Sequence, residues 1–431
     1  MTRSTSFRAQ REILGSFIFR GDGISLHEHQ IKVDYQRLRE DIKCWGTELG
    51  FRRIGISSIE LADDEKRLKA WLSNGYHGEM NYMARHGLKR SRPSELVPGT
   101  CRVISASMDY LPKAGIAGAE RVLRDPHLGY IARYALGRDY HKVLRGRLIR
   151  LLERIVERTN REQYRIAHAT NIDTHAQEAS SFPIRGRVFV DSAPVLEKAL
   201  ARNAGLGWIG KHSNLIGRKV GSCFLLGEIY TNVPLPPDRP SQGHCGVCRA
   251  CMTACPTGAI IAPYRLDARK CVAYLTIEYR GSLPLELRPK IGNRIFGCDD
   301  CQLVCPWNRF ARVMRERDFL PRNGLDAQSL VDLFKWSEAE FMERTEGSAL
   351  RRMGYECWLR NIAVAMGNAP PSSHMVAVLE KRMEYPSPLV TEHVVWALAR
   401  QRLLGSQLNK MPLRGGIKDS ASSARRSHSL S

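Results

Sequence analysis

The chain has 431 residues, 43% of them hydrophobic and 26% charged, which is ordinary for a globular protein of two or three domains. It contains no apolar run of about 18 residues or more, so no transmembrane helix is indicated. The formal net charge of +22, from 66 Lys and Arg against 44 Asp and Glu, favours an anionic partner, first of all nucleic acid, over a merely basic soluble surface.

The first 33 residues carry Arg and His but no long apolar core, so they do not resemble a secretory signal. We predict that residues 1–33 form a disordered extension. Without an export signal or a membrane anchor, a cytoplasmic location is expected, where thiols stay reduced.

Helical and strand patterns alternate over residues 34–233, which predicts an α+β domain with an α/β-like order of elements. In 34–49, Leu38, Ile42 and Trp45 share one helical face, and Gly50 follows as a stop. Helices are predicted over 34–49, 63–72 and 144–156, and strands over 52–56, 102–108, 188–190 and 223–230. The helix around 144–156 concentrates positive charge at Lys142, Arg145, Arg147, Arg150, Arg154 and Arg158.

Asp191 stands where the predicted strand 188–190 ends, a common place for functional groups. Ser192 and Pro194 follow it and are expected to begin a helix that runs through Ala201. A partly desolvated carboxyl at this point is able to act as a proton donor near neutral pH. The alternative is that Asp191 only caps the helix.

A glycine-rich segment, residues 205–214, ends in a dense polar run of Lys211, His212, Ser213 and Asn214. Its glycines allow a backbone to approach a ligand closely. The segment is not a dinucleotide-binding fingerprint, because it follows a predicted helix and precedes a strand-like stretch, the reverse of the required order.

Two cysteine runs dominate the segment after the proline-rich stretch 234–240, and each run is followed by proline. They read Cys245-x2-Cys248-x2-Cys251-x3-Cys255 and Cys298-x2-Cys301-x3-Cys305. This is the spacing of bacterial ferredoxins, in which the last Cys of a run ligates the other iron–sulfur cluster. We therefore predict a ferredoxin-like 4Fe-4S domain over residues 234–312.

Two cubane clusters need eight thiolates, and Cys271, between the runs, is the natural eighth. The crossing rule assigns Cys245, Cys248, Cys251 and Cys305 to the first cluster, and Cys255, Cys271, Cys298 and Cys301 to the second. Zinc fits successive x2 spacings poorly, and disulfides need an oxidising compartment. The scattered Cys44, Cys101, Cys223 and Cys357 are expected to be buried as small hydrophobic residues.

The C-terminal part is predicted to be helical over 350–366, 375–383 and 391–403, with proline-containing turns between the helices. Short successive helices of this kind are typical of HEAT-like repeats, so residues 313–404 are predicted to form a small helical cap. The Ser-, Arg- and Lys-rich segment 405–431 is expected to be a disordered basic tail.

Several long stretches resemble the epoxyqueuosine reductase family, in order along the chain. They are residues 77–86, 133–141, 190–194, 205–212, 292–308 and 360–370. The resemblance covers roughly residues 34–404. It departs from the compact family pattern in the N-terminal extension and in an insert around 168–187.

The resemblance implies an oxidoreductase that reduces epoxyqueuosine to queuosine at the wobble position of transfer RNA, using cobalamin and two 4Fe-4S clusters. It makes 34–233 a cobalamin-binding catalytic domain in a chain that works as a monomer. It also implies an external one-electron donor of the flavodoxin or ferredoxin type. An RNA loop nucleotide can be splayed into a protein pocket, and the basic charge suits such a substrate.

The resemblance also implies roles for individual residues. Asp191 becomes the proton donor and a cobalamin contact. The other expected cobalamin contacts are Arg90, His212, Ser213, Asn214, Leu215 and Asp299. The Asp-x-His-x-x-Gly signature of proteins that give cobalt a His ligand is absent, so cobalamin depends on the resemblance alone.

Two other functions remain open on the sequence. An electron-transfer subunit would need only the cysteine module, with the N-terminal domain as a docking platform, and it would bind no cobalamin. A reductive dehalogenase shares cobalamin and two clusters, but it usually carries a twin-arginine export signal, and its substrates do not call for a charge of +22.

Overall fold

A computed structural model of the chain describes residues 33–169 and 184–409. The predictions for the N-terminal extension, for most of the insert around 168–187 and for most of the basic tail therefore lie outside the described residues.

The described chain is a mixed helix-and-sheet structure. The helices are α1 Tyr35–Glu48, α2 Ala62–Ser73, α3 Tyr82–Arg85, α4 Pro93–Leu96, α5 Gly115–Arg124, α6 Tyr140–Ala169, α7 Glu197–Asn203, α8 Ala250–Ala254, α9 Val272–Ile277, α10 Arg288–Ile291, α11 Asp300–Leu303, α12 Leu330–Lys335, α13 Glu338–Arg344, α14 Tyr355–Asn368, α15 Ser373–Arg382 and α16 Pro388–Asn409. The strands are β1 Arg53–Ser57, β2 Arg102–Asp109, β3 Tyr130–Ile131, β4 Gly186–Phe189, β5 Trp208–Ile209, β6 Leu215–Ile216, β7 Phe224–Thr231, β8 Ile260–Ala262, β9 Arg265–Leu266 and β10 Arg294–Phe296.

Helix α1 forms as its sequence pattern predicts. The Asp34 carboxylate accepts hydrogen bonds from the backbone N–H groups of Gln36 and Arg37, which are otherwise unpaired at a helix start. Leu38 and Ile42 are buried on one face, and Gly50 follows with φ of 86°, a conformation that glycine adopts without strain.

The main sheet has four strands in the order β1-β2-β7-β4, and every neighbouring pair is antiparallel. The expected α/β-like arrangement is therefore wrong for this sheet, although the α+β class holds. The alternation of helices and strands suggested parallel strands joined by crossover connections. Strand β7 instead lies antiparallel to β2, and Ser105 pairs with Glu228 at the centre of the sheet. That pairing puts a carboxyl in the interior, behind the segment that carries Asp191.

The helix expected to begin at Ser192 begins later, at Glu197, and it has no side-chain cap. Asp191 has φ of 50°, in the left-handed region that non-glycine residues seldom occupy. Asp191 is therefore not a helix cap. The turn between β4 and α7 instead directs its carboxylate toward the start of α6.

The largest cluster of buried hydrophobic side chains extends from Leu38 in α1 to Leu398 in α16. It includes the sheet, α6 and α14, so the N-terminal and C-terminal parts share one core. The boundaries at 233, 312 and 404 remain predictions. Within the described part of the chain, no helix is both long enough and apolar enough to cross a membrane.

Helix α14 is buried on nearly all sides and joins the C-terminal helices to the cysteine module. The wholly buried Arg360 donates hydrogen bonds to the carbonyl groups of Leu275, Tyr279 and Gly281, and Asn361 donates to Thr276. These bonds satisfy backbone carbonyl groups at the end of α9 and in the loop that follows it, and they hold the cysteine module against α14.

The cysteines outside the two runs do not behave alike. Cys223 and Cys357 are buried, as expected, whereas Cys44 is exposed and Cys101 is only half-buried. Cys44 lies on the outer side of α1, where its thiol is near Glu48 one turn away. The expectation of burial is thus wrong for these two cysteines.

Candidate active site

A cleft of about 760 Å³ opens beside the main sheet, and it contains Asp191. Its walls come from α2, α3, α7, the hairpin β5–β6 and strand β9. Aromatic and apolar side chains, among them Trp71, Tyr82 and Trp208, alternate there with the charged groups of Arg90, Asp191 and Lys198. A mostly apolar cavity with a few convergent polar groups is the usual form of a cofactor or substrate site.

The Asp191 carboxylate receives two hydrogen bonds from the start of α6. The Tyr140 hydroxyl donates to Oδ2, and His141 Nε2 lies 3.2 Å from the same oxygen. The side chain is 55% exposed, because its remaining face is turned to the open cleft. A ligand in the cleft would therefore contact the exposed side of a carboxylate whose other side is hydrogen bonded to α6.

His141 is itself held in a network of charged groups. Its Nδ1 lies 2.8 Å from Asp139 Oδ1, and Arg352, from the C-terminal part, places Nη2 2.6 Å from Asp139 Oδ2. The imidazole is nearly buried, with 11% of its side chain exposed. Two carboxylates therefore flank one histidine, an arrangement that favours its protonated form.

The pKa values of Asp191 and His141 are shifted in opposite directions. Burial works to raise the pKa of Asp191, but the hydrogen bonds from His141 and Tyr140 outweigh it and leave that pKa below 3.8. Burial works to lower the pKa of His141, but Asp139 and Asp191 outweigh it and leave that pKa above 6.5. In the open cleft these shifts favour a proton on His141 over one on Asp191.

A second group of carboxyls lies behind Asp191. The backbone N–H of Asp191 donates to Glu197 Oε1 at 2.5 Å, which secures the strained turn. Burial, and then the nearby Asp191 charge, raise the pKa of Glu197 to about 7. Burial and the neighbouring Glu197 hold the pKa of Glu228 well above 4.5. Both shifts favour the protonated forms of the carboxyl groups that lie behind Asp191.

Lys198 joins α7 to the glycine-rich loop. Its ammonium group donates to the carbonyl of Ser213 at 3.1 Å and to the side-chain oxygen of Asn214 at 2.8 Å. Burial lowers the pKa of Lys198, although Glu197 and Asp191 act in the other direction. This cation balances the carboxylates at the floor of the cleft.

Arg90 occupies the opposite wall and is 5% exposed. Its Nη2 donates to the backbone carbonyl of Tyr82 at 2.9 Å, while its Nε has no hydrogen-bond partner among the described residues. Trp208 likewise lines the cleft with a buried, unpartnered Nε1. Both donors are suited to acceptors of a molecule bound in the cleft.

The first group of predicted cluster ligands surrounds a cavity of about 240 Å³. Its lining includes the thiols of Cys245, Cys248, Cys251 and Cys305 together with His212. Within the described ranges, no three His, Cys, Asp or Glu side chains converge closely enough to hold a single metal ion, so these thiols border a space and do not meet at a point. Trp307, in this lining, stacks edge-on with Trp208 of the cleft at 4.9 Å between ring centres.

The second group of cysteines is brought together beside the floor of the cleft. Burial raises the pKa of the Cys301 thiol, and the next contributions come from Cys271, Asp299 and Cys255 nearby. Cys298 donates to Asp300 Oδ2 at 2.7 Å. Lys198 is close enough to both Cys271 and Cys301 for their charges to act on it. Cys255, Cys271 and Cys301 therefore lie near one another, and the full assignment of four cysteines to each cluster stays a prediction.

The expected cobalamin contacts are not all in one place. Arg90, Asp191 and Ser213 line the cleft, but His212 lines the cavity of the first cysteine group. The Asp299 carboxylate is buried and accepts hydrogen bonds from the Tyr130 hydroxyl and the Arg133 backbone, each at 2.8 Å. Leu215 packs in a small hydrophobic cluster under β5 and β6. The lining of the cleft includes neither Asp299 nor Leu215.

Sequence reasoning assigned no role to several groups that the fold gathers around Asp191. Tyr140 and His141 stand in the stretch 133–141, where the run Asp139, Tyr140, His141 was a usable polar signal. Glu228 was also detectable, as a carboxyl in the middle of the apolar strand β7. Arg352 gave no local signal, because only the tertiary fold brings it to His141.

Comparison with family models gives two matches. A model described as "4Fe-4S double cluster binding domain" matches residues 244–308. A second model, described as "Epoxyqueuosine reductase QueG, DUF1730", matches residues 90–192, which include Arg90, the Asp139–His141 run and Asp191.

Relatives match along most of the chain. An epoxyqueuosine reductase of Pseudomonas aeruginosa is 56% identical over 368 residues, covering 85% of this chain and 95% of the relative. One of Escherichia coli is 52% identical over 369 residues, covering 86% of this chain and 91% of the relative. A crystal structure of epoxyqueuosine reductase with an epoxyqueuosine-modified tRNA-Tyr stem loop has a TM-score of 0.71 at 27% identity, covering 88% of this chain and 95% of that one.

Proposed function

The chain belongs to the epoxyqueuosine reductase family, and we propose that the cleft at Asp191 binds cobalamin and the modified nucleotide together. The reaction is the reduction of epoxyqueuosine to queuosine in transfer RNA, carried out by an oxidoreductase with two 4Fe-4S clusters. The observation that carries the proposal is a cleft that contains a hydrogen-bonded carboxylate and borders both cysteine groups, the first through the Trp208–Trp307 contact and the second through Lys198.

The residues present fit cobalamin on grounds of their own. The corrin ring is a broad apolar surface with an edge of amide groups, and the cleft combines apolar walls with the unpartnered buried donors of Arg90 and Trp208. Arg90, Ser213 and Lys198 would hold cobalamin, and Asp191 lines the same cleft. When bound and reduced, cobalamin supplies electrons to an epoxide carbon.

The protein supplies the protons. Conversion of an epoxide to an alkene consumes two electrons and two protons, breaks two C–O bonds and releases one water. We assign the first proton to Asp191, which passes it to the epoxide oxygen as the ring opens. A ligand that fills the cleft displaces water from the exposed face of Asp191, which raises the pKa of this carboxyl and favours transfer of the proton from His141.

The second proton comes from a different pair of carboxyl groups, Glu197 and Glu228. Glu197 has a pKa of about 7 and is hydrogen bonded to the backbone of Asp191, and the raised pKa of Glu228 behind it favours the protonated form of that carboxyl. This pair is able to restore a proton to Asp191 before water leaves. General acid catalysis of this kind contributes roughly 10²–10⁴-fold to a rate.

Electrons arrive through the cysteine module. We assign the first cluster to the thiolates of Cys245, Cys248, Cys251 and Cys305, and the second to those of Cys255, Cys271, Cys298 and Cys301. The second group lies near Lys198 at the cleft floor, so a cluster held by these thiolates would supply electrons to the cleft. Each cluster carries one electron at a time, which suits an external donor of the flavodoxin or ferredoxin type.

The remaining assignments extend this proposal to the molecule. Residues 34–233 form the cobalamin-binding part, 234–312 the cluster domain and 313–404 a HEAT-like cap. The protein acts as a monomer in the cytoplasm, where its cluster thiols stay reduced. The transfer RNA presents its modified loop nucleotide to the cleft, as unpaired RNA bases are readily splayed into pockets.

Reconstitution with iron, sulfide and cobalamin tests the proposal. The wild-type protein is expected to show a bound corrin absorption band and to produce queuosine from epoxyqueuosine-containing transfer RNA. Asp191→Asn is expected to keep both clusters and cobalamin but to lose turnover by at least about 10²-fold, since an amide cannot pass on the proton.

Two results would contradict the proposal. Normal turnover by Asp191→Asn would remove Asp191 from the reaction. A wild-type protein that assembles its clusters but binds no corrinoid would favour the electron-transfer subunit instead.

A further inference from the structure

His212 is placed by a tight hairpin loop between β5 and β6. Gly210 and Asn214 close the loop through a backbone hydrogen bond of 2.8 Å, and Ser213 adopts a positive φ of 66°. Gly210 also makes room for the imidazole, because a Cβ at this position would stand 3.0 Å from His212 Cε1. The loop thus fixes the position of one histidine ring.

The hydrogen bonds of the ring determine its tautomer. Nδ1 accepts from the backbone N–H of Asn214 at 3.1 Å, so in the neutral ring the proton is on Nε2. The residue is 4% exposed, and Nε2 has no hydrogen-bond partner among the described residues. A buried N–H group without an acceptor is unfavourable, so this donor is expected to serve a molecule that the protein chain itself does not provide.

The surroundings of the ring identify that molecule. His212 lines the cavity of about 240 Å³ together with the thiols of Cys245, Cys248, Cys251 and Cys305, and it is not part of the cleft lining. The neighbouring Lys211 reaches the same loop of cysteines, where its ammonium group donates to the carbonyls of Gly246 and Cys248 at 2.6 and 2.8 Å.

We propose that His212 Nε2–H donates a hydrogen bond to a sulfur atom of the first iron–sulfur cluster and thereby raises the reduction potential of that cluster. Hydrogen bonds to cluster sulfurs stabilise the more negative, reduced form. The inference rests on the proposed cluster assignment, and it replaces the expectation that His212 contacts cobalamin. His212 is a positioning and tuning residue here, because it acts on the electron carrier and not on the substrate.

The test is a redox titration of the reconstituted protein followed by electron paramagnetic resonance. Cys248→Ser identifies which signal belongs to the first cluster. In His212→Phe, the ratio of reduced to oxidised first cluster at a fixed potential is expected to fall about tenfold, a shift of about 59 mV for one electron. His212→Gln, which keeps an N–H donor, should shift less, and the second cluster should not change.

Two controls separate this effect from a general disturbance. His127→Phe replaces an exposed histidine and should leave both potentials unchanged. In the wild type, labelling histidine with ¹⁵N should give a nitrogen coupling in the pulsed spectrum of the reduced first cluster, and His244→Asn should retain it. This second measurement holds even if His212→Phe fails to assemble its clusters.

Unchanged potentials in His212→Phe, or a labelled wild type without nitrogen coupling, would overturn the inference. Loss of corrinoid affinity in His212→Phe with both potentials intact would return His212 to the cobalamin site. A wild-type protein that takes up no iron or sulfide would instead refute the proposed cluster assignment, so the two failures are distinguishable.

Discussion

The residue that decides the chemistry of the open cleft is His141 as much as Asp191. Asp191 is kept ionised by the groups that hydrogen bond to it, and a carboxylate cannot act as an acid until it gains a proton. The shifts of the two pKa values favour a proton on His141, between Asp139 and Asp191, over one on Asp191. The acid is therefore a pair, and its behaviour should depend on both members.

His141→Gln should lower turnover by about 10²-fold and change its pH dependence. The folded pKa of His141 lies above 6.5, so the protonated pair is present below that pKa and is lost as pH rises through it. Wild-type turnover should fall on the alkaline side with an apparent pKa above 6.5, and the variant should lack this His141 limb. His127→Gln should keep the wild-type profile, whereas an unaltered profile in His141→Gln would contradict the paired acid.

Glu228→Gln should change the pH dependence of stability. Because its folded pKa lies well above 4.5, Glu228 keeps a proton that the unfolded chain releases, so folding becomes less favourable as pH rises. The amide has the same shape and does not ionise. Between about pH 5 and about pH 8 the free energy of unfolding should therefore fall less in the variant than in the wild type, by up to about 1.4 kcal/mol per pH unit. Thermal midpoints measured at the two pH values should show the same smaller decrease. Parallel pH curves would show that Glu228 is ionised in the folded protein.

Asp191 and the cysteines were predictable because the sequence patterns that mark them span only a few neighbouring residues. Asp191 follows an apolar strand, and the thiols have a spacing that few other sites share. Sequence reasoning missed the network behind Asp191, since Tyr140 and Arg352 are 51 and 161 residues away along the chain and only tertiary structure joins them. For the same reason the sequence predicted a proton donor at Asp191 without the hydrogen bonds from His141 and Tyr140, which lower the pKa of this carboxyl.

At the scale of elements, the hairpin β5–β6 links the cleft to the first cysteine group. Trp208 of β5 faces the cleft, and His212 of the intervening loop faces the cysteines. The hairpin packs so tightly that a Cβ on Gly207 would stand 2.3 Å from the Ile216 carbonyl oxygen. Because that neighbour is backbone, it cannot rotate away.

Gly207→Ala should therefore destabilise the protein by about 2 kcal/mol or more and weaken corrinoid binding, as the hairpin must open to admit the methyl group. Gly146→Ala is the matched control. Gly146 lies exposed inside α6, and a Cβ added there would meet nothing within 4 Å beyond its chain neighbours and the backbone of its own helix, so alanine should stabilise by about 0.5–1 kcal/mol. Thermal midpoints of the two variants measure both effects, and equal midpoints would contradict the tight hairpin.

Individual helices and strands were predictable from the sequence where the spacing of hydrophobic residues is regular. The helix predicted over 34–49 is observed as Tyr35–Glu48, and the strand predicted over 102–108 as Arg102–Asp109. Strand order was not predictable, because the pairing of β2 with β7 depends on packing over more than a hundred residues. The start of α7 was misplaced, since Ser192 and Pro194 are turn residues as readily as helix-start residues.

For the whole molecule, the basic charge is less concentrated than the sequence suggested. Along α6, Arg147 pairs with Glu316, Arg154 with Glu48 at 2.7 Å, and Arg158 with Asp41 and Glu162 at 3.6 Å. These arginines are therefore partly neutralised by neighbouring elements. The net charge predicted a nucleic-acid partner correctly, but it did not locate the surface that transfer RNA contacts.

If this cleft converts epoxyqueuosine to queuosine, the nucleosides of cellular transfer RNA must depend on the protein. Cells lacking the protein are expected to accumulate epoxyqueuosine, to regain queuosine when wild-type protein is restored, and to keep epoxyqueuosine when Asp191→Asn is supplied instead. Unchanged queuosine in the cells without the protein, or restored queuosine with Asp191→Asn, would contradict the account.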